Sequence, residues 1–152
     1  MDSDRIEREI VIAAPPEVVW RVITDPAQVS MWLCDLADFE AKPGTYGTVA
    51  WKEHGSYDLR VEEVEQPRLF SFRWVFPAGS QPDETNSLLV EFTLTEEDGA
   101  TRLRLVESGF RFVDASDAPG SAAYIADHER GWDQYLAQLV DYVADRARAA
   151  AR

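Results

Sequence analysis

The chain has 152 residues, 28 acidic against 15 basic, and a formal net charge of −13, which is length for one hydrophobic core and not for two. Acidic residues run along the whole sequence rather than into a tail, so the surface repels phosphate backbones and anionic lipid, and nucleic acid is not an expected partner. A single cysteine, Cys34, excludes an intramolecular disulfide and a cysteine-based zinc cluster. No basic, apolar leader opens the sequence and no segment reaches the ~20 apolar residues of a membrane span, so the expected address is the reducing cytoplasm without membrane insertion.

Ile6, Arg8, Ile10 and Ile12 alternate along the first segment, the period of a strand with one buried face. Pro15 and Pro16 end it and open a helix in which Val18, Val19, Val22 and Ile23 recur at helical spacing. Asp25-Pro26 stops that helix and starts a second, PAQVSMWL, with Val29, Trp32 and Leu33 on its apolar side. From there to Gly109 the pattern is β, with TYGTVAW, SYDLRVEEV, LFSFRWVF, SLLVEFTL and TRLRLVE separated by turn residues. Asp98-Gly99 supplies positive φ for a tight hairpin, whereas PAGSQPDETN has no apolar anchor and reads as a mobile loop. In the last segment Ile125, His128, Trp132, Tyr135 or Leu136, Leu139 and Val143 form one helical stripe, and Asp127, Arg130, Asp133, Gln138 and Asp141 face away. Residues 145–152 read as a fraying helix end. This order predicts a single α+β domain over residues 1–152, with a curved antiparallel sheet wrapped on a long C-terminal helix and two short helices after the first strand.

APPEVVWRVITDP is similar to the first-helix motif, and VEEVEQPRLFSFRW to the strand, turn and strand signature, of the START-like superfamily with the helix-grip fold of the birch-pollen allergen. ESGF followed by GWDQYLAQL resembles the branch of the activator of the ninety-kilodalton heat-shock protein ATPase. The resemblance covers nearly the whole chain. It implies a seven-stranded antiparallel sheet gripping the C-terminal helix around a cavity for an apolar ligand. Lipid carriers, polyketide aromatases and cyclases, and co-chaperone domains all share this fold, so the resemblance implies no fixed chemistry.

Along LFSFRWVF, Phe70, Phe72, Trp74 and Phe76 point one way and Ser71 and Arg73 the other. Leu88, Val90, Phe92 and Leu94, then Leu103 and Leu105, extend that face on the next two strands. It reads either as ordinary core or as the wall of a cavity that large, rigid rings hold open. The residues expected to touch a ligand are Trp32, Trp51, Phe72, Trp74, Phe92, Leu103, Leu105, His128 and Trp132. Glu107 shares parity with Leu103 and Leu105, which aims a carboxylate inward, where it must be paired, hydrogen-bonded or protonated. Because Glu is rarely fully buried, the favoured reading is that it instead reaches water or Arg111 from the strand end. Glu107, His128 and Tyr124 are the candidates for proton transfer. His54 and His128 come without the spaced cluster a metal needs, so neither a metal nor a cofactor is expected. Cys34 reads as a small buried hydrophobe whose pKa Asp35 raises.

Gly131 sits mid-helix, where glycine costs about 1 kcal/mol against alanine. Close approach of helix to sheet is the favoured explanation, and a flexible joint the other. The leading functional reading is a carrier of a small apolar, aromatic or lipid-like molecule. An enzyme using polar cavity residues comes second, and a module docking a protein client third.

Overall fold

The computed structural model of the protein describes residues 5–53, 55–75, 79, 81–110 and 122–150, with side chains in the last segment described from 124 to 146. His54, Phe76 and Arg111, named from the sequence, fall outside these residues. The described elements are β1 (Arg5–Ile12), α1 (Pro16–Thr24), α2 (Pro26–Val29), β2 (Leu36–Asp38), β3 (Tyr46–Trp51), β4 (Gly55–Glu65), β5 (Leu69–Val75), β6 (Leu88–Glu97), β7 (Ala100–Ser108) and α3 (Ala122–Ala150). All seven strands join one antiparallel sheet in the order β1-β7-β6-β5-β4-β3-β2. The α+β architecture read from the sequence is the one observed, and α3 extends through 145–150.

Local chemistry explains most boundaries. Pro16 occupies the first turn of α1, whose Val19, Trp20, Val22 and Ile23 are buried. Asp25 then caps α2 by accepting the Ala27 N–H at 3.1 Å. The second helix is shorter than PAQVSMWL and ends at Val29. Trp32 follows it and donates its indole N–H to the Val22 carbonyl at 3.0 Å, tying the turn back onto α1. Between β6 and β7, Asp98 (φ 52°) and Gly99 (φ 83°) both take positive φ, as the two-residue hairpin turn requires.

Three features depart from simple alternation. β2 has only three residues, too short to show a period. In β4 the register shifts between Val61 and Glu63; this irregularity bends the sheet, and the Glu63 N–H donates to Ser71 Oγ at 3.1 Å. Ser71 is on the outer face by parity yet fully buried, because it lies in register between the longer Glu63 and Glu91 side chains. The expected mobile loop is, over 81–87, a hydrogen-bonded turn. Asp83 Oδ1 accepts the Thr85 N–H at 2.7 Å, Asn86 Oδ1 accepts the Asp83 N–H at 2.8 Å, and Pro82 and Ser87 are buried.

The inner face of the sheet meets α3 through a packed layer. Trp32, Phe70, Phe72, Phe92, Leu103, Leu105 and Leu139 are all buried, each contributing about 1.5–3 kcal/mol of transfer free energy. A void of only about 10 Å³ remains among Trp32, Phe72, Phe92 and their neighbours, at the lower limit for a single water. Arg8 on β1 secures the far side, donating to Asp133 on α3 at 2.7 Å and to Glu129 at 3.4 Å; the Asp133 hydrogen bond raises its pKa. Gln138 joins α3 to the turn after α2, donating to the Trp32 carbonyl at 2.7 Å.

Candidate functional site

β7 runs in unbroken register from Ala100 to Ser108, so the period-2 rule carries Glu107 onto the inner face beside Val90. Its carboxylate is fully buried. Three N–H groups converge on it. Trp74 of β5 donates its indole N–H to Oε2 at 2.9 Å, Trp132 of α3 donates to Oε1 at 2.8 Å, and His128 Nδ1, one helical turn before Trp132, lies 2.9 Å from Oε1. A carboxylate in an apolar layer needs such partners, and with them Glu107 turns inward, which overturns the favoured expectation that it reaches water or Arg111.

Burial alone would lower the His128 pKa, but the charge and hydrogen bond of Glu107, then the charge of Asp127, outweigh it and the pKa is raised. Phe110 and Tyr124 flank the imidazole, with ring centroids 5.4 and 4.6 Å away. The Tyr124 phenol is pushed up to about 12, first by burial and then by the Glu107 charge. Tyr57 is raised further, for the same leading cause.

In front of this cluster, between α3 and the ends of β3, β4 and β5, lies a pocket of about 580 Å³. Trp51, Tyr57, Trp74, Tyr124, His128, Trp132 and Tyr135 line it, with Gly131, Gln134 and the Asp127–Arg130 ion pair on α3. The rings support one another. Tyr57 and Trp74 are 4.8 Å apart, Trp74 and Trp132 stack at 5.8 Å, and Trp51 lies 5.9 Å from Tyr135. The Trp51 indole is fixed by its hydrogen bond to the Leu33 carbonyl at 2.9 Å. Glu107 does not line the pocket; it stands behind the wall and holds three of the groups that form it.

Of the residues expected to touch a ligand, Trp51, Trp74, His128 and Trp132 are brought together here. Phe72 and Phe92 border the small void instead, and Leu103 and Leu105 have no exposed surface. Parity put them on the correct face, but facing side chains from α1, α2 and α3 fill the space over them. Trp32 borders both that void and a second groove of about 620 Å³. That groove shares Trp51, Gln134 and Tyr135 with the pocket, but its border also carries exposed polar side chains, among them Asp35, Lys52, Glu53 and Gln138. Tyr57 and Tyr135 also line the pocket, beyond the expected contacts. The available signals were the parity of Tyr57 with buried Leu59 and Val61 and the place of Tyr135 on the α3 stripe.

Cys34 is buried, and its thiol is pushed up to about 11 by burial, with Asp35 adding to the shift. Among the described residues no group of three or more His, Cys, Asp or Glu side chains is placed to hold a metal ion. No helix among them is long and apolar enough to cross a membrane.

Gly131 overturns the close-approach expectation. A Cβ built there would meet, among the described residues, only the Tyr135 ring at 3.4 Å, with no sheet atom within 4 Å. The glycine instead forms part of the pocket wall. Gly131→Ala is therefore expected to raise stability by up to about 1 kcal/mol through helix propensity, measured by denaturant melts; a destabilised variant would restore the close-approach explanation.

The profile of the family described as activator of Hsp90 ATPase homolog 1-like protein matches residues 13–144. The chain belongs to this family. Among solved structures, it is similar to protein MLL2253 from Mesorhizobium loti, at 29% identity and a TM-score of 0.78 over 93% of this chain and 97% of that one. It is also similar to DynU16, a protein in the dynemicin biosynthetic locus, at 26% identity and a TM-score of 0.73, over 93% of this chain and 47% of that one. The Aha1 dimer from Colwellia psychrerythraea, at 18% identity and a TM-score of 0.73 over 91% of this chain and 95% of that one, shares the fold of the family. No curated protein matches the sequence. Within the activator of Hsp90 ATPase homolog 1-like fold, then, the described site is a ring-lined pocket with a buried carboxylate behind it.

Proposed function

We propose that this member of the family binds a small, flat, mainly aromatic molecule between α3 and the ends of β3, β4 and β5. The observation that carries the reading is the pocket of about 580 Å³ walled by three tryptophans, three tyrosines and a histidine. That volume suits one small molecule, and rigid rings with a few polar tips are the usual lining of such sites. His128, Tyr57 and Tyr124 supply the polar tips, which suits a ligand with an oxygen at one end. The place of DynU16 in a biosynthetic locus is in keeping with a small-molecule ligand.

Titration with the neutral probe N-phenyl-1-naphthylamine tests this through quenching of tryptophan emission. One probe per chain is expected to bind, and Gly131→Leu, which projects a side chain into the pocket, is expected to weaken binding at least tenfold, about 1.4 kcal/mol. Arg102→Ala on the opposite face of the sheet should leave it unchanged. Affinity weaker than about 100 μM, roughly −5.5 kcal/mol, or equal binding by Gly131→Leu, would remove the reading.

A further inference from the structure

The polar end of the pocket is built more elaborately than binding alone requires. A fully buried carboxylate on β7 fixes one nitrogen of an imidazole on α3, 2.9 Å away, and two indole N–H groups from β5 and α3 fix the carboxylate in turn. With Nδ1 directed at Glu107, Nε2 is the nitrogen left for the pocket that His128 lines. Tyr124 stands against the same imidazole, also lining the pocket. A base oriented by a carboxylate, next to a phenol, at the edge of an aromatic pocket, is an arrangement for moving protons next to a carbonyl group.

We propose that His128 is an acid–base catalyst for enolisation of an aromatic ketone held in the pocket, with Tyr124 as hydrogen-bond donor to the carbonyl oxygen and Glu107 as the positioning residue. This rests on the binding reading above and adds a reaction to it. Neutral His128 takes a proton at Nε2 from the carbon next to the carbonyl. The C–H electron pair becomes the new carbon–carbon π bond, and the carbonyl π pair moves to oxygen, where the Tyr124 hydroxyl donates to the enolate. Return of a proton from His128 to the same carbon restores the ketone, so no co-reactant is consumed and, in D2O, deuterium replaces hydrogen at that carbon.

The electrostatics are consistent with these roles. The Glu107 carboxylate stabilises the imidazolium formed in the step, and the Tyr124 phenol, pushed up to about 12, stays protonated at neutral pH. Among the described residues, the titratable groups facing His128 are Glu107 from β7, Asp127 and Tyr124 from α3, and Tyr57 from β4 across the pocket. Arg130 is paired with Asp127. With its pKa raised, the imidazole becomes a base only as pH climbs through that raised value.

Proton NMR of 2-tetralone in D2O with the full chain tests the proposal, together with displacement of N-phenyl-1-naphthylamine by the ketone. Wild type is expected to exchange the benzylic protons beside the carbonyl at least about a hundredfold faster than buffer, with a rate that rises with pH through the His128 titration. His128→Gln should return exchange to the buffer rate, whereas Arg102→Ala on the opposite face of the sheet should leave it at the wild-type value. Glu107→Gln should move the rise to lower pH, because the charge that holds the imidazole pKa up is gone, an effect that loss of packing does not produce. Displacement of the probe without accelerated exchange at any pH, or exchange unchanged by His128→Gln, overturns the acid–base role and leaves the binding reading intact. Failure of 2-tetralone to displace a bound probe also overturns it, and failure of the probe itself to bind overturns both. The wild-type rate decides even where a variant fails to fold.

Discussion

Replacing Glu107 by alanine is expected to lower the free energy of unfolding by about 3–5 kcal/mol, the range for removing one partner from a buried charged network. The change leaves the indole N–H groups of Trp74 and Trp132 and the Nδ1 of His128 without their acceptor. Each buried donor left unpaired costs about 1–3 kcal/mol, and water entering from the adjoining pocket offsets part of this. Glu107→Gln keeps one acceptor oxygen but turns an amide N–H₂ toward the remaining donors, so a smaller loss of about 1–3 kcal/mol follows. A pH signature accompanies it. The folded pKa of His128 is raised above the ordinary value of 6.5, so its contribution is fully present below that value and is lost as pH rises through the folded one. Denaturant melts across this window should show wild-type stability declining with pH from this group, and Glu107→Ala should lack that component. An alanine variant as stable as wild type, with the same pH slope, would mean that the three hydrogen bonds are not formed.

Gly47→Ala is expected to cost about 1–3 kcal/mol from overpacking, although no positive φ is involved. A Cβ at this position in β3 would lie 2.4 Å from the Asp38 carbonyl oxygen and 2.6 Å from Phe39 Cβ, and neither obstacle is the free end of a flexible side chain. Relief requires β2 and the start of the following segment to move. Phe39 is buried and stacks on Phe70 with centroids 6.2 Å apart, so that movement also loosens the aromatic layer under α1. Thermal melts with tryptophan fluorescence would read both effects. A neutral substitution would show that the short β2 pairing does not constrain the chain, and would leave the tight contact at Gly47 without consequence.

Local patterns carried much of the architecture. The alternation in β5, β6 and β7 predicts which side chains face inward, Asp98-Gly99 closes its hairpin as the pair's tolerance of positive φ predicts, and the apolar stripe of the last segment buries Trp132, Leu136, Leu139 and Val143. Each of these depends on neighbours within a turn or two of chain, where a fixed period converts sequence spacing directly into direction. The β4 irregularity and β2 escaped for the same reason. One extra residue resets the period at Val61/Glu63, and three residues are too few to display one.

The sequence by itself put Glu107 in phase with the inward-facing Leu103 and Leu105, through the period of 2 along β7, but left open whether the carboxylate turns inward or reaches water; the structure buries it. The sequence also placed His128 and Trp132 on one face of a helix, because four residues are about one turn. Only the tertiary structure decided that these groups meet, since Trp74 lies 33 positions from Glu107 and Trp132 lies 25 away; the strand order brings Trp74, and helix packing brings Trp132, within hydrogen-bond range. The same holds for where the space is. Phe72, Phe92, Leu103 and Leu105 share a face with Trp74, yet residues from other elements close over them, whereas Trp74 lies where Tyr57, Trp51 and α3 leave a pocket. Parity tells which way a side chain points; whether it meets a filled core or a cavity depends on the volume and position of what packs opposite, which no local period encodes.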